Sequence, residues 1–298
     1  AERLKGVGYA TAGIAASFPL DSRFGLDQGF DLYEDEFPRE GSSYPLKTFE
    51  GFALTGGFDR RADATATRAI RWLERERPRD RPFFLWVHLF DAHEPYDPPP
   101  PHDRLFAPAD GASAAERAIA AYDGEVHFAD EKLGTLLDAL EAQGLSERTI
   151  VAVASDHGEG LGQHDFQDHG MLLYEEAVRV PIVFRWPGRL RAGQRLDAPV
   201  SLTDLVPTLL DLAAVPAGAP AMGGRSLARV LTGQQAASLE RPIFLQRRYY
   251  EPGSKRAPKI KGRQFGVRLG RMKLIEAPDD GIVELYDLVA DPDETRNL

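Results

Sequence analysis

The sequence predicts an α/β protein: a mostly parallel central sheet flanked by helices, followed by a small C-terminal antiparallel sheet. Three observations predict it. Short apolar, β-rich runs alternate with helix-periodic segments through the first 235 residues. The longest helical pattern carries explicit start and stop signals. From about residue 236 the pattern changes to short strands joined by turns.

In chain order, the residues after Leu4 read as the tail of a helix, and Gly8 to Ile14 as a short buried strand. Asp21 to Glu50 is rich in Gly, Pro, Ser, acids and aromatics without period, which predicts a long surface excursion. Ala62, Ala66, Ala69, Ile70 and Leu73 fall at helical spacing before Pro78. Phe83 to Phe90 is a continuous apolar run, the signature of a strand covered on both faces. Ser113 and Glu116 form a capping box. The helix it opens carries Ile119, Val126, Ala129, Leu133, Leu136, Leu137 and Leu140, with Gly144 placed as its terminating glycine. Strands follow at 149–154 and 180–184, then a helix from Thr203 to Leu212 with Pro207 early enough to be tolerated. Ile243–Leu245, Phe265–Leu269, Lys273–Ile275 and Val283–Tyr286 predict the antiparallel sheet. The expected organisation is one catalytic α/β domain, 1–235, and a C-terminal subdomain, 236–298.

At 298 residues the chain can bury a large core, and 43% apolar with 28% charged residues is ordinary for a globular protein. A net charge of −10 argues against a broad nucleic-acid or anionic-membrane surface, which needs summed Lys and Arg charge. An anionic substrate must then be drawn to a local positive site, a metal ion or a cationic histidine. With no cysteine there is neither a disulfide framework nor a thiolate metal ligand. No apolar stretch approaches the length of a membrane span. The opening Ala1-Glu2-Arg3-Leu4 and the close at Asn297-Leu298 read as the ends of an excised fragment.

The strongest chemical signal is Ser155-Asp156-His157-Gly158-Glu159-Gly160-Leu161-Gly162, where a β-rich run opens into a Gly-rich loop. Ligands in open α/β sheets bind beyond the carboxyl ends of strands. Neighbouring strand residues point to opposite faces, so Asp156 and His157 share one ion only if the chain leaves the strand there; Gly158 makes that departure easy. A carboxylate and an imidazole form a half-site for a divalent cation; the rival reading is a loop-capping Asp156 beside a solvated or core His157. His93 emerges after the second buried strand, where an imidazole can bind an anionic oxygen or protonate a leaving alkoxide. The rival there is a loop histidine held by Asp91 and Glu94. His88, inside the apolar run, reads as a core histidine. His169 follows His157 by twelve residues, across a loop able to fold back over a metal. His164 reads as a surface residue, and Glu175, Glu176 and Arg179 as structural ion-pair partners.

Taken together these motifs resemble the sulfatase family of the alkaline phosphatase superfamily. The resemblance runs through Asp156 to Gly162, His169-Gly170, and Leu173-Tyr174-Glu175-Glu176 followed by Arg179-Val180-Pro181. It includes Gly8 to Ala12, Gly25 to Asp31, Phe90 to Tyr96, Thr203 to Leu210, and Leu285 to Leu288 with Asp291-Pro292. It implies a single divalent ion on Asp156 and His157, usually calcium (Ca2+), with Mn2+ or Zn2+ suited to the imidazole. It also implies that His93 contacts the ester oxygens and can protonate the leaving group, and that His169 neutralises transition-state charge.

The implied activity is sulfate-ester hydrolysis on a small-molecule or glycan ester. The alternatives are a phosphate mono- or diester hydrolase, a phosphoethanolamine-type transferase with a Thr or Ser nucleophile, and a degenerate binding module. The family's first metal acids and its Cys-x-Pro-Ser-Arg signature, whose Cys matures to formylglycine, are expected upstream of Ala1; the fragment alone is expected to be inactive. Where the family carries a Lys-Trp-His element, this chain has Ala15 to Leu20, so two positive contacts to the ester are missing. Family habit implies an exported or membrane-tethered enzyme. The 35–60 excursion, the 97–112 loop and the small sheet, with Arg247 and Arg248, are expected around the pocket.

Overall fold

Small residues decide where the first sheet forms. Ala10-Thr11-Ala12-Gly13-Ile14 makes strand β1 (Ala10–Ile14), buried throughout, and little side-chain bulk holds its neighbours away. A Cβ on Gly13 would lie 2.7 Å from the Tyr33 ring, so the aromatic packs directly over backbone. The computed structural model describes residues 1–216, 218, 222–235, 240–247, 260 and 262–298. They divide into two compact units, 1–147 and 148–298, taken in turn.

In the first unit, α1 (Glu2–Gly6) leads into β1, which pairs in parallel with β2 (Leu32–Glu34) and, later in this unit, with β5 (Phe83–Val87). The order β2-β1-β5 puts the fully buried strand in the middle. β5 is half-buried, less covered than its apolar run suggests, because it has a paired neighbour in this sheet on one side. Within the 21–50 excursion and just beyond it, β3 (Thr48–Phe49) and β4 (Phe52–Ala53) make a two-residue hairpin. Ala15, Phe18, Phe37, Leu54 and Phe58 gather there as an aromatic core cluster. α2 (Ala62–Arg71) continues into a wider turn at Trp72–Glu76.

After α3 (His102–Leu105), the long helix α4 (Ala114–Ala142) begins at the expected capping box: Ser113 Oγ accepts the Glu116 N–H at 3.2 Å. Gly144, at φ 65°, closes it. Its buried face is rotated from the expected one in the first half. Ile119 and Val126 are exposed, whereas Gly124, Glu125 and Phe128 are buried. The loop from Pro98 to His102 lies against Gly124 and sets the face.

The second unit opens with β6 (Val151–Ala154), which pairs with β9 (Ile182–Arg185) in antiparallel register. Between them lie only the small hairpin β7 (Gly160–Leu161) and β8 (Gln167–Asp168) and the single turn α5 (Glu175–Val178). No crossover helix intervenes to make that pair parallel. α6 (Leu205–Leu212) follows a 3₁₀ turn whose Ser201–Asp204 capping box starts it, and α7 (Ala228–Leu231) comes next. The four-stranded antiparallel sheet appears as expected: β10 (Ile243–Arg247), β11 (Gln264–Leu269), β12 (Met272–Ala277) and β13 (Ile282–Asp287), in that order. Ile275, Ala277 and Tyr286 from it join Met171 to Tyr174 in one core cluster. No helix among the described residues is long and apolar enough to cross a membrane.

Candidate active site

β6 ends at Ala154, and the chain turns at once. Ser155 Oγ donates to the His157 carbonyl at 2.6 Å, and Asp156 Oδ1 accepts the His157 N–H at 3.1 Å. His157 Nδ1 lies 2.8 Å from the Gly158 carbonyl oxygen. A carbonyl only accepts, so Nδ1 carries the proton and the lone pair is on Nε2. That nitrogen is 3.7 Å from Asp156 Oδ2, and the Asp156 side chain is 81% exposed. A carboxylate oxygen and an imidazole nitrogen thus lie side by side at the end of β6.

Gly158 serves this turn by close approach. A Cβ there would sit 2.0 Å from the Glu176 carbonyl oxygen, and its N–H donates to the Ala177 carbonyl at 2.8 Å. The loop is therefore seated on α5. α5 in turn is held by Glu175, which pairs with Arg268 at 3.0 Å and Lys273 at 3.1 Å, and by Glu176, which bonds His164 at 2.7 Å. These are the structural ion pairs expected of Glu175 and Glu176. His164 departs from the surface reading. Its ring stacks on Tyr174 at 3.7 Å, and its Nε2 lies 3.2 Å from the Glu294 carbonyl oxygen. Each ring nitrogen thus faces an acceptor, an arrangement that favours the charged form. Burial opposes that charge, but Glu176 and the Glu294 carbonyl raise its pKa.

The β7–β8 hairpin brings the chain back. Gly160 pairs with Asp168 and Leu161 with Gln167, which places the His169 ring flat on His157, centroids 3.8 Å apart. His169 Nδ1 lies 3.3 Å from Glu159 Oε1 and 3.4 Å from Asp168 Oδ1. Burial alone would lower its pKa; the Glu159 hydrogen bond and the charges of Glu159, Asp168 and Asp156 outweigh that and raise it. Sequence reasoning did not single out Glu159, whose side chain is only 4% exposed. A lone acid in a Gly-rich loop gives no sign of burial. Glu159, Asp168 and His169 are a group whose ligand atoms lie within 4.8 Å of one another and could hold a metal ion. Both carboxylates face one ring nitrogen, Nδ1, beside the Asp156–His157 pair.

His93 belongs to the first unit. Its ring stacks on Phe90 with centroids 4.4 Å apart, and its Nδ1 lies 2.7 Å from the Glu94 carbonyl and 3.1 Å from the Tyr44 hydroxyl. Nδ1–H donates to Glu94, which puts the functional lone pair or acidic proton on Nε2. Tyr44, from the long excursion, also donates to the Glu94 carbonyl. His88 accepts the Ala16 N–H at 3.3 Å and stacks on Trp86, as a core histidine does. Arg247, expected near a pocket, is 3% exposed and donates to the carbonyls of Met171, Ile260 and Gly262, a structural role. Arg248 lies outside the described residues.

Against known families, a model described as sulfatase matches residues 2–215. The chain belongs to the sulfatase family. A second model, described as N-sulphoglucosamine sulphohydrolase, C-terminal, matches residues 162–298 of this sulfatase-family chain. Among curated relatives, the N-acetylglucosamine-6-O-sulfatase of Bacteroides thetaiotaomicron is 34% identical over 180 residues, 59% of this chain and 31% of that protein. Arylsulfatase K of Mus musculus is 33% identical over 175 residues, 57% of this chain and 30% of its own length. The chain thus spans about a third of these relatives. A structure solved in complex with its substrate D-glucosamine-2-N,6-O-disulfate superposes with TM-score 0.80 at 23% identity, covering 99% of this chain and 76% of that one. The phosphonate monoester hydrolase of Agrobacterium radiobacter gives TM-score 0.72 at 21% identity, covering 99% and 74%. Both likenesses carry the fold: the α/β architecture with a C-terminal antiparallel sheet.

Proposed function

We propose that this sulfatase-family protein hydrolyses sulfate esters of sugars or other small molecules, using one divalent cation bound at Asp156 and His157. The observation that carries the reading is the convergence of Asp156 Oδ2 and His157 Nε2, 3.7 Å apart, under a stacked His169. A cation there would polarise the ester oxygen; calcium suits the carboxylate, and the imidazole admits manganese or zinc. His157 is held in the metal-binding tautomer by the Gly158 carbonyl. His169, its pKa raised by Glu159 and Asp168 against the effect of burial, balances charge that builds on the ester group. His93 presents Nε2 to an ester or leaving-group oxygen because Glu94 fixes its Nδ1. No residue of this chain is assigned as nucleophile. The sulfated sugars named for the relatives support a glycan ester as substrate class. A chain charge of −10 supports a small anion drawn in locally, with no nucleic-acid surface. Export is the localisation we propose, on family habit alone.

Asp156→Ala, in protein that also carries the nucleophile segment expected upstream of Ala1, tests this. Bound divalent metal, counted by elemental analysis, should fall to background, and hydrolysis of nitrophenyl sulfate should stop. Unchanged metal content and turnover would refute the metal site. Preferential cleavage of nitrophenyl phosphate by the parent would refute the sulfate assignment instead.

A further inference from the structure

The loop that carries His93 is closed by a residue from another element. Glu125, on α4, is 5% exposed. Its Oε2 accepts the Ala92 N–H at 2.9 Å, and its Oε1 accepts the Asp97 N–H at 2.8 Å. One carboxylate therefore ties both ends of the loop, with His93, Glu94, Pro95 and Tyr96 between them. Ala92 sits at φ 77°, a left-handed conformation that a residue with a Cβ adopts only when its surroundings impose it. Its N–H is one of the two that Glu125 holds. The helix reaches the loop because residue 124 lacks a side chain: a Cβ there would lie 2.8 Å from the His102 carbonyl oxygen and 2.9 Å from Pro98 Cγ. Gly124 allows the approach and Glu125 uses it.

A carboxyl group suits this task better than an amide. Two N–H donors point at it from different directions, and it has an acceptor oxygen for each, whereas an amide side chain has one. We propose that Glu125 is a positioning residue for the reaction: by fixing the distance between the two ends of the loop, it sets where the His93 imidazole meets the ester. The proposal rests on the reading of His93 as an ester-contacting group.

Glu125→Gln keeps the shape but turns an NH₂ toward one of the two N–H groups. Amide exchange at Ala92 and Asp97 should then rise at least about tenfold, while β1 and β5 keep their protection and report an intact fold. With nitrophenyl sulfate, in protein that also carries the nucleophile segment expected upstream of Ala1, kcat should fall on the order of 10- to 100-fold with KM within about twofold, the loss expected of a misplaced group. Added to His93→Asn, the substitution should cost nothing further, because both act through one imidazole. An unchanged kcat, or a full additional loss in the double variant, overturns the proposal. So do amides that stay protected, whatever His93 does. If His93→Asn itself turns over at the parental rate while Glu125→Gln still frees both amides, it is the reading of His93 that has failed, and the catalytic role of Glu125 falls with it.

Discussion

Lys273 is a lysine with no exposed surface, and replacing it with Met should expose how the C-terminal sheet supports the site. Its ammonium lies 3.1 Å from Glu175 Oε1 and 2.9 Å from Glu294 Oε1; Glu294 is itself fully buried. Glu294 Oε2 accepts the Glu175 N–H at 2.5 Å, so both acids meet at the start of α5. Lys273→Met takes the ammonium away from the buried Glu294 carboxylate, while Glu175 keeps its pair with Arg268. Breaking a buried pair by removing one partner costs about 3–5 kcal/mol. For a unit of about 150 residues that corresponds to a Tm lower by roughly 6–20 °C. The loss should depend on pH in a definite direction. Burial holds the Glu294 carboxyl above its ordinary pKa, against the pull of Lys273 and the Glu175 N–H and with the Glu175 charge adding to it. A carboxyl raised in the folded state costs nothing where both states are protonated, and its cost grows as pH rises through the folded value. Without the ammonium that cost is larger. Calorimetric melts of parent and variant should therefore nearly coincide at about pH 4 and separate toward neutrality. A Tm difference that is absent, or equal at both pH values, would falsify this account of the network.

Two other predictions concern the site loops. Burial, with the Asp91 charge adding and the Ala92 and Asp97 N–H groups and Arg61 opposing, pushes Glu125 from 4.5 to about 7. Its contribution to stability is complete below 4.5 and is lost as pH rises through about 7, about 3 kcal/mol in all. Urea titrations should show Glu125→Gln flattening that slope; the same slope in both proteins would count against it, and Asp91, raised to about 6, should supply what remains. Gly158→Ala must place a methyl 2.0 Å from the Glu176 carbonyl oxygen, which backbone shifts relieve at about 1–3 kcal/mol. Manganese affinity by calorimetry should fall together with Tm, and retention of both would mean that the loop is not seated on α5.

Much of this was readable from the residues because local signals agreed with the final packing. The run ending at Ala154, the Ser113 capping box, Gly144 and the four C-terminal strands each carry their structure in their own few residues. What stayed hidden depends on a partner distant in sequence. Periodicity in α4 registers apolar positions, so it picked Ile119 and Val126; the true face is chosen by the backbone at His102, which needs a glycine opposite it. For the same reason Glu125 is indistinguishable in sequence from a solvated helix acid. Gly158 was expected to loosen the chain, yet it admits a neighbouring backbone. His164 looked superficial because Glu294, its second partner, lies 130 positions away. His169 stands out in the sequence by its motif alone, because the two-residue strands that bring it onto His157 are too short to register as periodicity.

That hairpin has a consequence for how the protein can vary. The His157–His169 contact is set where β8 ends: Asp168, at φ 117°, leaves the extended conformation directly before His169. Lengthening the tip between Gly162 and Phe166 leaves this turn intact. Deleting a single residue between Phe166 and His169 would shift the turn and carry the imidazole off His157. The tip is therefore free to vary in length, while the return arm is held by the backbone turn at Asp168.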